Sequence, residues 1–142
     1  MIGGQVVDVE SAGHSISKDV LDFIYELKTS ALIESSMMIG AILAGADEKD
    51  VQTIEKIAKN IGIAFQIQDD ILDVTSTVEE LGKPIHSDEK NEKTTYVTLV
   101  GLEKAKEYVE NISMEAIELL GTFKTEDSFL EELLKALIHR KK

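Results

Sequence analysis

Apolar residues recur at helical spacing along nearly the whole chain, and nowhere do they alternate as a strand requires. Val20, Leu21, Ile24 and Leu27 share one face of a helix predicted over 18–27. A short helix at 2–13 precedes it and carries Gln5 and Asp8. A third helix is predicted from about Lys28 to Ala44, ending at Gly45-Ala46-Asp47. Asp47 suits an N-cap, and Glu48 and Asp50 follow it in the first turn, where the helix dipole favours anions. The fourth helix then runs to about Val74. Thr77 to Glu80 matches a capping box and Gly82 closes that turn. Helices resume at about 94–100, 102–121 and 126–140, the last capped by Thr125. The fold class is therefore all-α, a single segment spanning 1–142.

The fourth helix breaks its own pattern. From Ile61 to Val74 it is apolar around most of its circumference, as in a buried helix. Inside that stretch stand Asp69, Asp70 and Asp73, with Gln66 one turn earlier. Three carboxylates within one turn of a buried helix repel one another and lose hydration. A divalent cation with a preference for oxygen relieves both costs. Magnesium fits best, since it is held by one or two carboxylates, waters and substrate phosphates.

Composition narrows the function. A formal net charge of −12 disfavours nucleic acid and acidic membranes as partners, because both require a basic footprint. An anionic ligand held locally by a few lysines remains compatible. The chain has no cysteine, so thiolate metal sites are excluded and a reducing, cytoplasmic compartment is expected. The most apolar run, 31–46, is too short to cross a membrane and is interrupted by Glu34. Its small residues Ser36, Gly40, Ala44 and Gly45 predict close helix–helix packing. Gly82 to Lys93 reads as a flexible loop with the only proline, Pro84, and six charged residues. Lys28-Thr29 stands at the head of the third helix, and Lys83 and Lys93 flank the loop. Lysines beside a metal–carboxylate cluster supply donors for the oxygens of a diphosphate.

In this order the motifs resemble those of the isoprenyl diphosphate synthases, the trans-prenyltransferases of the farnesyl and geranylgeranyl type. The resemblance rests on Gly3-Gly4-Gln5 with Asp8, then Lys28-Thr29, then Phe65 through Asp73. Gly82-Lys83, Ser87-Asp88 and Lys93-Thr94-Thr95-Tyr96 complete it. It implies an isoprenoid-synthase-type helical bundle. It also implies head-to-tail condensation of an allylic diphosphate with isopentenyl diphosphate, using Mg2+. Asp69-Asp70-Ile71-Leu72-Asp73 then corresponds to the family's second aspartate-rich motif and to its metal residues, with Asp69 on a magnesium ion and Asp70 and Asp73 supporting that ion directly or through water. Lys28, Lys83 and Lys93 correspond to diphosphate ligands, with Gln5 beside them. Thr29 and Gln66 correspond to residues lining the allylic tail near the reacting carbon, and Asp88 to support of the metal site. Lys28, Thr29, Gln66 and Lys83 are thus the expected catalytic set.

The family's first aspartate-rich motif and its isopentenyl diphosphate ligands lie upstream of the matched residues and have no counterpart here. The chain is therefore expected to be the C-terminal half of a synthase domain, inactive alone, self-associating through uncovered apolar faces at 28–44 and 50–74. Two other classes stay open: a non-catalytic helical partner subunit, and a terpene cyclase. A cyclase pairs one aspartate motif with a downstream Asn-Ser-Glu set spaced four apart. Position 115, four after Asn111, is Glu rather than Ser.

Overall fold

A computed structural model describes residues 1–76, 93–123, 128–138 and 140. Those residues form helices and connections without a strand, so the chain is all-α as its periodicity predicts. Helix α1 is Ile2–Glu10 and α2 is Lys18–Tyr25. A π-helical turn, Glu26–Ser30, joins α2 to α3, Ala31–Leu43. The long α4, Glu48–Thr75, is followed by α5 (Tyr96–Val100), α6 (Leu102–Leu120) and α7 (Phe129–Ile138). No helix among the described residues is long and apolar enough to cross a membrane.

Helix α4 is the axis of the bundle. Asp47 caps it by accepting from the Asp50 N–H at 2.8 Å, and Gly45 makes the preceding turn at φ +83°. Its inner face buries Ile57, Ile61, Ala64, Ile67 and Ile71. One half packs with Leu21, Ile24 and Tyr25 of α2, Tyr96 of α5, and Ala105, Val109 and Ile112 of α6. The other half packs with Ala116 and Leu120 of α6 and Leu134 of α7. The apolar run that hid the aspartates in the sequence is therefore the core of the fold.

Two expectations change. Residues 18–43 form one continuous rod rather than two helices, because every residue through the junction keeps right-handed helical backbone angles. No glycine or proline stands between Leu27 and Thr29 to break it. Lys28 and Thr29 therefore sit in the π turn and not at a helix start. Secondly, the small residues of α3 are not a packing seam. Ser36, Gly40, Ala44 and Gly45 are exposed, and a methyl group added at Gly40 would meet open space. The close helix contacts occur at Gly4 and Gly62 instead. A Cβ on Gly4 would lie 2.7 Å from the backbone of Leu27 and Lys28. One on Gly62 would lie 2.2 Å from Ser30 Oγ and 2.5 Å from Ser30 Cα. The π turn is thus wedged between α1 and α4, with Ser30 wholly buried.

The predicted caps at 77–80 and at Thr125, and the loop from Gly82 through Glu92, lie outside the described residues.

Gly62→Ala is expected to destabilise the fold by about 2–3 kcal/mol, as overpacking against rigid backbone does. Gly40→Ala is expected to stabilise it slightly, by about 0.5–1 kcal/mol, through helix propensity. Urea denaturation of both variants measures the contrast.

Candidate functional site

The π turn carries its flanking residues past α4 in a fixed register. At one end, Ser30 lies against Gly62 and its hydroxyl donates to the Lys59 carbonyl at 3.3 Å. At the other, the Tyr25 hydroxyl donates to Asp70 Oδ2. The rod therefore runs antiparallel to residues 62–70, and Lys28 and Thr29 pass alongside the stretch containing the half-buried Gln66.

Asp70 is buried and tied to the fold. Besides Tyr25, it accepts the backbone N–H of Tyr96 at 2.8 Å. That N–H opens α5 and has no partner within its own helix. Thr95 completes the cap: its hydroxyl accepts from the Thr98 N–H at 3.2 Å, and Thr98 Oγ1 accepts from the Thr95 N–H at 2.9 Å. Asp73, one turn on, is also buried.

Asp69 faces elsewhere, because adjacent residues on a helix point about 100° apart. Its carboxylate keeps 43% of its side-chain surface open and accepts from Arg140 Nη2 at 3.1 Å. The same guanidinium lies 3.9 Å from the Phe65 ring centroid and donates to the Phe65 carbonyl at 3.4 Å. The three aspartates do not form one shared cage. Among the described residues, no three His, Cys, Asp or Glu side chains gather around a common cation position. The donor chemistry fits a magnesium ion that takes one protein carboxylate, Asp69, and completes its shell with water and phosphate oxygens.

The lysines converge on a residue assigned no role of its own in the sequence. Lys28 Nζ lies 2.6 Å from Asp8 Oδ2, and Lys93 Nζ lies 2.9 Å from Asp8 Oδ1. Asp8 is 8% exposed. Burial alone would raise its pKa, but the two ammonium groups outweigh it and hold the carboxyl below the ordinary aspartate value. Lys93 stands three residues before Tyr96, and Lys28 three after Tyr25. Tyr25 and Tyr96, which bond Asp70, are thus covalently close to the two lysines, which links the lysine pair to the aspartate turn. Gln5 and Thr29 join Lys28 in lining an open groove of about 650 Å³, otherwise walled by Met1, Ile2, Val6, Val9 and Glu10.

Of the residues singled out in the sequence, the structure brings Lys28 and Lys93 together on Asp8, and Gln5, Thr29 and Lys28 together on the groove. It separates Asp69 from Asp70. Lys83 and Asp88 lie outside the described residues. Sequence reasoning missed the role of Asp8 and the contact of Arg140 with Asp69. A buried acid at helical spacing after Gly4-Gln5 was a usable signal for the first. For Arg140 no local signal existed, since a basic helix end is ordinary.

The folded-state pKa of Asp8 is depressed, so its contribution to stability is complete above the unfolded value. It disappears as pH falls through the lowered folded value. Stability is expected to drop below about pH 4, and Asp8→Asn is expected to flatten that acid limb. Urea midpoints across pH 2–6 measure it.

Residues 1–137 match the polyprenyl synthetase family. The chain is 46% identical over 124 residues to geranylgeranyl pyrophosphate synthase from Capsicum annuum, covering 87% of this chain and 34% of that one. It is 39% identical over 140 residues to farnesyl diphosphate synthase from Bacillus subtilis, covering 99% and 47%. It thus spans a third to a half of the length of these relatives. Among solved structures, a geranyltransferase from Helicobacter pylori, complexed with magnesium and isoprenyl diphosphate, superposes with a TM-score of 0.79 at 34% identity. That match covers 97% of this chain and 45% of the other. Heptaprenyl diphosphate synthase from Staphylococcus aureus shares the fold with a TM-score of 0.92 at 23% identity, over 99% and 56%. With nearly every residue inside the family match and the fold shared, the chain belongs to the polyprenyl synthetase family.

Proposed function

We propose that this chain forms the allylic-diphosphate side of a trans-prenyltransferase in isoprenoid biosynthesis. The observation that carries the reading is the lysine pair on Asp8, borne by segments whose Tyr25 and Tyr96 bond Asp70, the neighbour of Asp69. Two ammonium groups held side by side match the charge and donor needs of a diphosphate. The apolar groove beginning at Lys28 and Thr29 suits a prenyl tail running away from that headgroup.

In this reading Lys28 and Lys93 bind and orient the diphosphate, joined by Lys83 from the segment after α4. Asp69 faces the cation side, while Asp70 and Asp73 support its helix turn from within. Magnesium bound at Asp69 would neutralise charge on the departing diphosphate. Thr29, Gln66 and Gln5 line the approach to the allylic carbon. The chemistry is cleavage of the allylic carbon–oxygen bond, attack by the double bond of isopentenyl diphosphate, and loss of a proton. Arg140 occupies the outer face of Asp69 and must yield part of that carboxylate to a cation. In this reading the chain works in a reducing, cytoplasmic compartment, the expectation drawn from its lack of cysteine. The non-catalytic subunit reading is less well supported, because a purely structural subunit has no need of a buried carboxylate holding two lysines. Nothing among the described residues favours a terpene cyclase.

Binding and assembly follow from this reading. Inorganic pyrophosphate with Mg2+ is expected to bind the chain, and Asp69→Asn to weaken it about tenfold, or ~1.4 kcal/mol. Calorimetry giving equal affinities overturns the assignment of Asp69. The chain alone is expected not to condense the two diphosphates. Ionisation draws on charge neutralisation from both sides, and a single Asp-Asp-x-x-Asp cluster is present. Turnover in a radiolabelled condensation assay refutes that. Helix α3 exposes Leu32, Ile39, Ile42 and Leu43. An apolar face of this kind is expected to drive self-association into a homo-oligomer. Light scattering that shows a stable monomer at micromolar concentration overturns that expectation.

A further inference from the structure

We propose that Asp8 is a positioning residue for the diphosphate site: it holds the Lys28 and Lys93 ammonium groups side by side, facing one anion. The inference rests on the diphosphate reading above and deepens it. Lys28 and Lys93 are 65 positions apart in the chain, on elements that share no backbone ladder. Two cations brought together repel, and each long side chain carries considerable rotamer freedom. Asp8 addresses both problems. Its two oxygens each take one ammonium, Oδ2 from Lys28 at 2.6 Å and Oδ1 from Lys93 at 2.9 Å.

The carboxylate is itself fixed. It is 8% exposed and projects from α1, whose backbone meets Leu27 and Lys28 at Gly4, where no Cβ fits. The spacing from Gly4 to Asp8 is one helical turn, so the contact that seats α1 also aims the carboxylate at the π turn. The lysines remain reachable: 31% of the Lys28 side chain and 34% of the Lys93 side chain stay open. Asp8 therefore acts through the lysines and does not touch the ligand. Its effect is preorganisation, which raises affinity by removing an ordering cost at binding.

The test is calorimetric titration of inorganic pyrophosphate, in the presence of Mg2+, into the unsubstituted chain, Asp8→Asn, Asp8→Glu, Lys28→Met and the Asp8→Asn/Lys28→Met double variant. Asp8→Asn is expected to weaken binding about tenfold and Asp8→Glu about threefold. In the Lys28→Met background the Asp8→Asn effect is expected to shrink to about threefold, since only Lys93 remains for the carboxylate to orient. A merely structural Asp8 would lower affinity equally in both backgrounds, and that outcome overturns the proposal. Unchanged or tighter binding by Asp8→Asn overturns it as well. If circular dichroism shows Asp8→Asn unfolded, Asp8→Glu carries the test, and affinity equal to the unsubstituted chain overturns the proposal. Failure of the unsubstituted chain to bind pyrophosphate overturns the diphosphate reading itself.

Discussion

The site depends on one steric constraint: a π-helical turn pressed between two helices at places where neither can carry a methyl group. Gly4 brings α1 onto the backbone of Leu27 and Lys28, and Gly62 brings α4 onto Ser30. Contacts at this range do not slide, because displacement along either helix replaces a glycine with a side chain. The register of the 18–43 rod against α4 is thereby set to within a residue. That register places Tyr25 against Asp70 and carries Lys28 to Asp8. A π turn is a costly local geometry that recurs at functional sites. Here it faces α1 with Lys28 and α4 with Ser30 within three residues.

Electrostatics then acts within that frame. In a chain of formal charge −12, two lysines distant in sequence are seated on one buried acid. Desolvation of the Asp8 carboxylate opposes its ionised form, and the two ammonium groups more than compensate. Buried ion pairs often contribute little net stability, although removing one partner is costly. The arrangement makes more sense as geometry than as stability. It fixes where two flexible cations point. The same logic recurs on α3 without such compensation: Glu34 has its pKa raised by burial, only partly opposed by Lys59.

How much of this was legible in the sequence depends on range. Local signals were read correctly in the Asp47 cap, the apolar run of α4 and the helical periodicity, whereas the aspartates read as one cluster are split by the helix, Asp70 inward and Asp69 outward. The continuity of residues 18–43 was also available, since nothing there breaks a helix, yet the Lys28-Thr29 pair drew a boundary that the backbone does not have. The π turn itself is marked by no residue type in Glu26–Ser30, and five residues are too few for a change of period to be read from the sequence. The small residues of α3 were misread. Smallness permits close packing and does not require it, and only what faces a glycine decides. The pairing of Asp8 with Lys93 spans 85 positions and that of Arg140 with Asp69 spans 71, so both arise from the assembled fold and from no local pattern.

The aspartate motif shows why fold and chemistry are hard to separate here. Adjacent helical positions diverge by about 100°, so Asp69 and Asp70 cannot serve one partner. Asp70 turns inward, where it accepts from Tyr25 and from the first N–H of α5. Those two bonds tie the rod and the segment beginning at Lys93 to the same turn of α4. Asp69 turns outward and remains accessible beside Arg140. The inward carboxylate thus helps set where the lysines stand, while the outward one presents charge on the open side of that turn. Converting Asp70 to a neutral residue would loosen two elements at once, and the lysine pair would drift relative to Asp69 although neither had been altered. The motif acts as a splitter: one acid holds the frame, its neighbour stays on the open side beside Arg140, and the helical twist keeps the two apart.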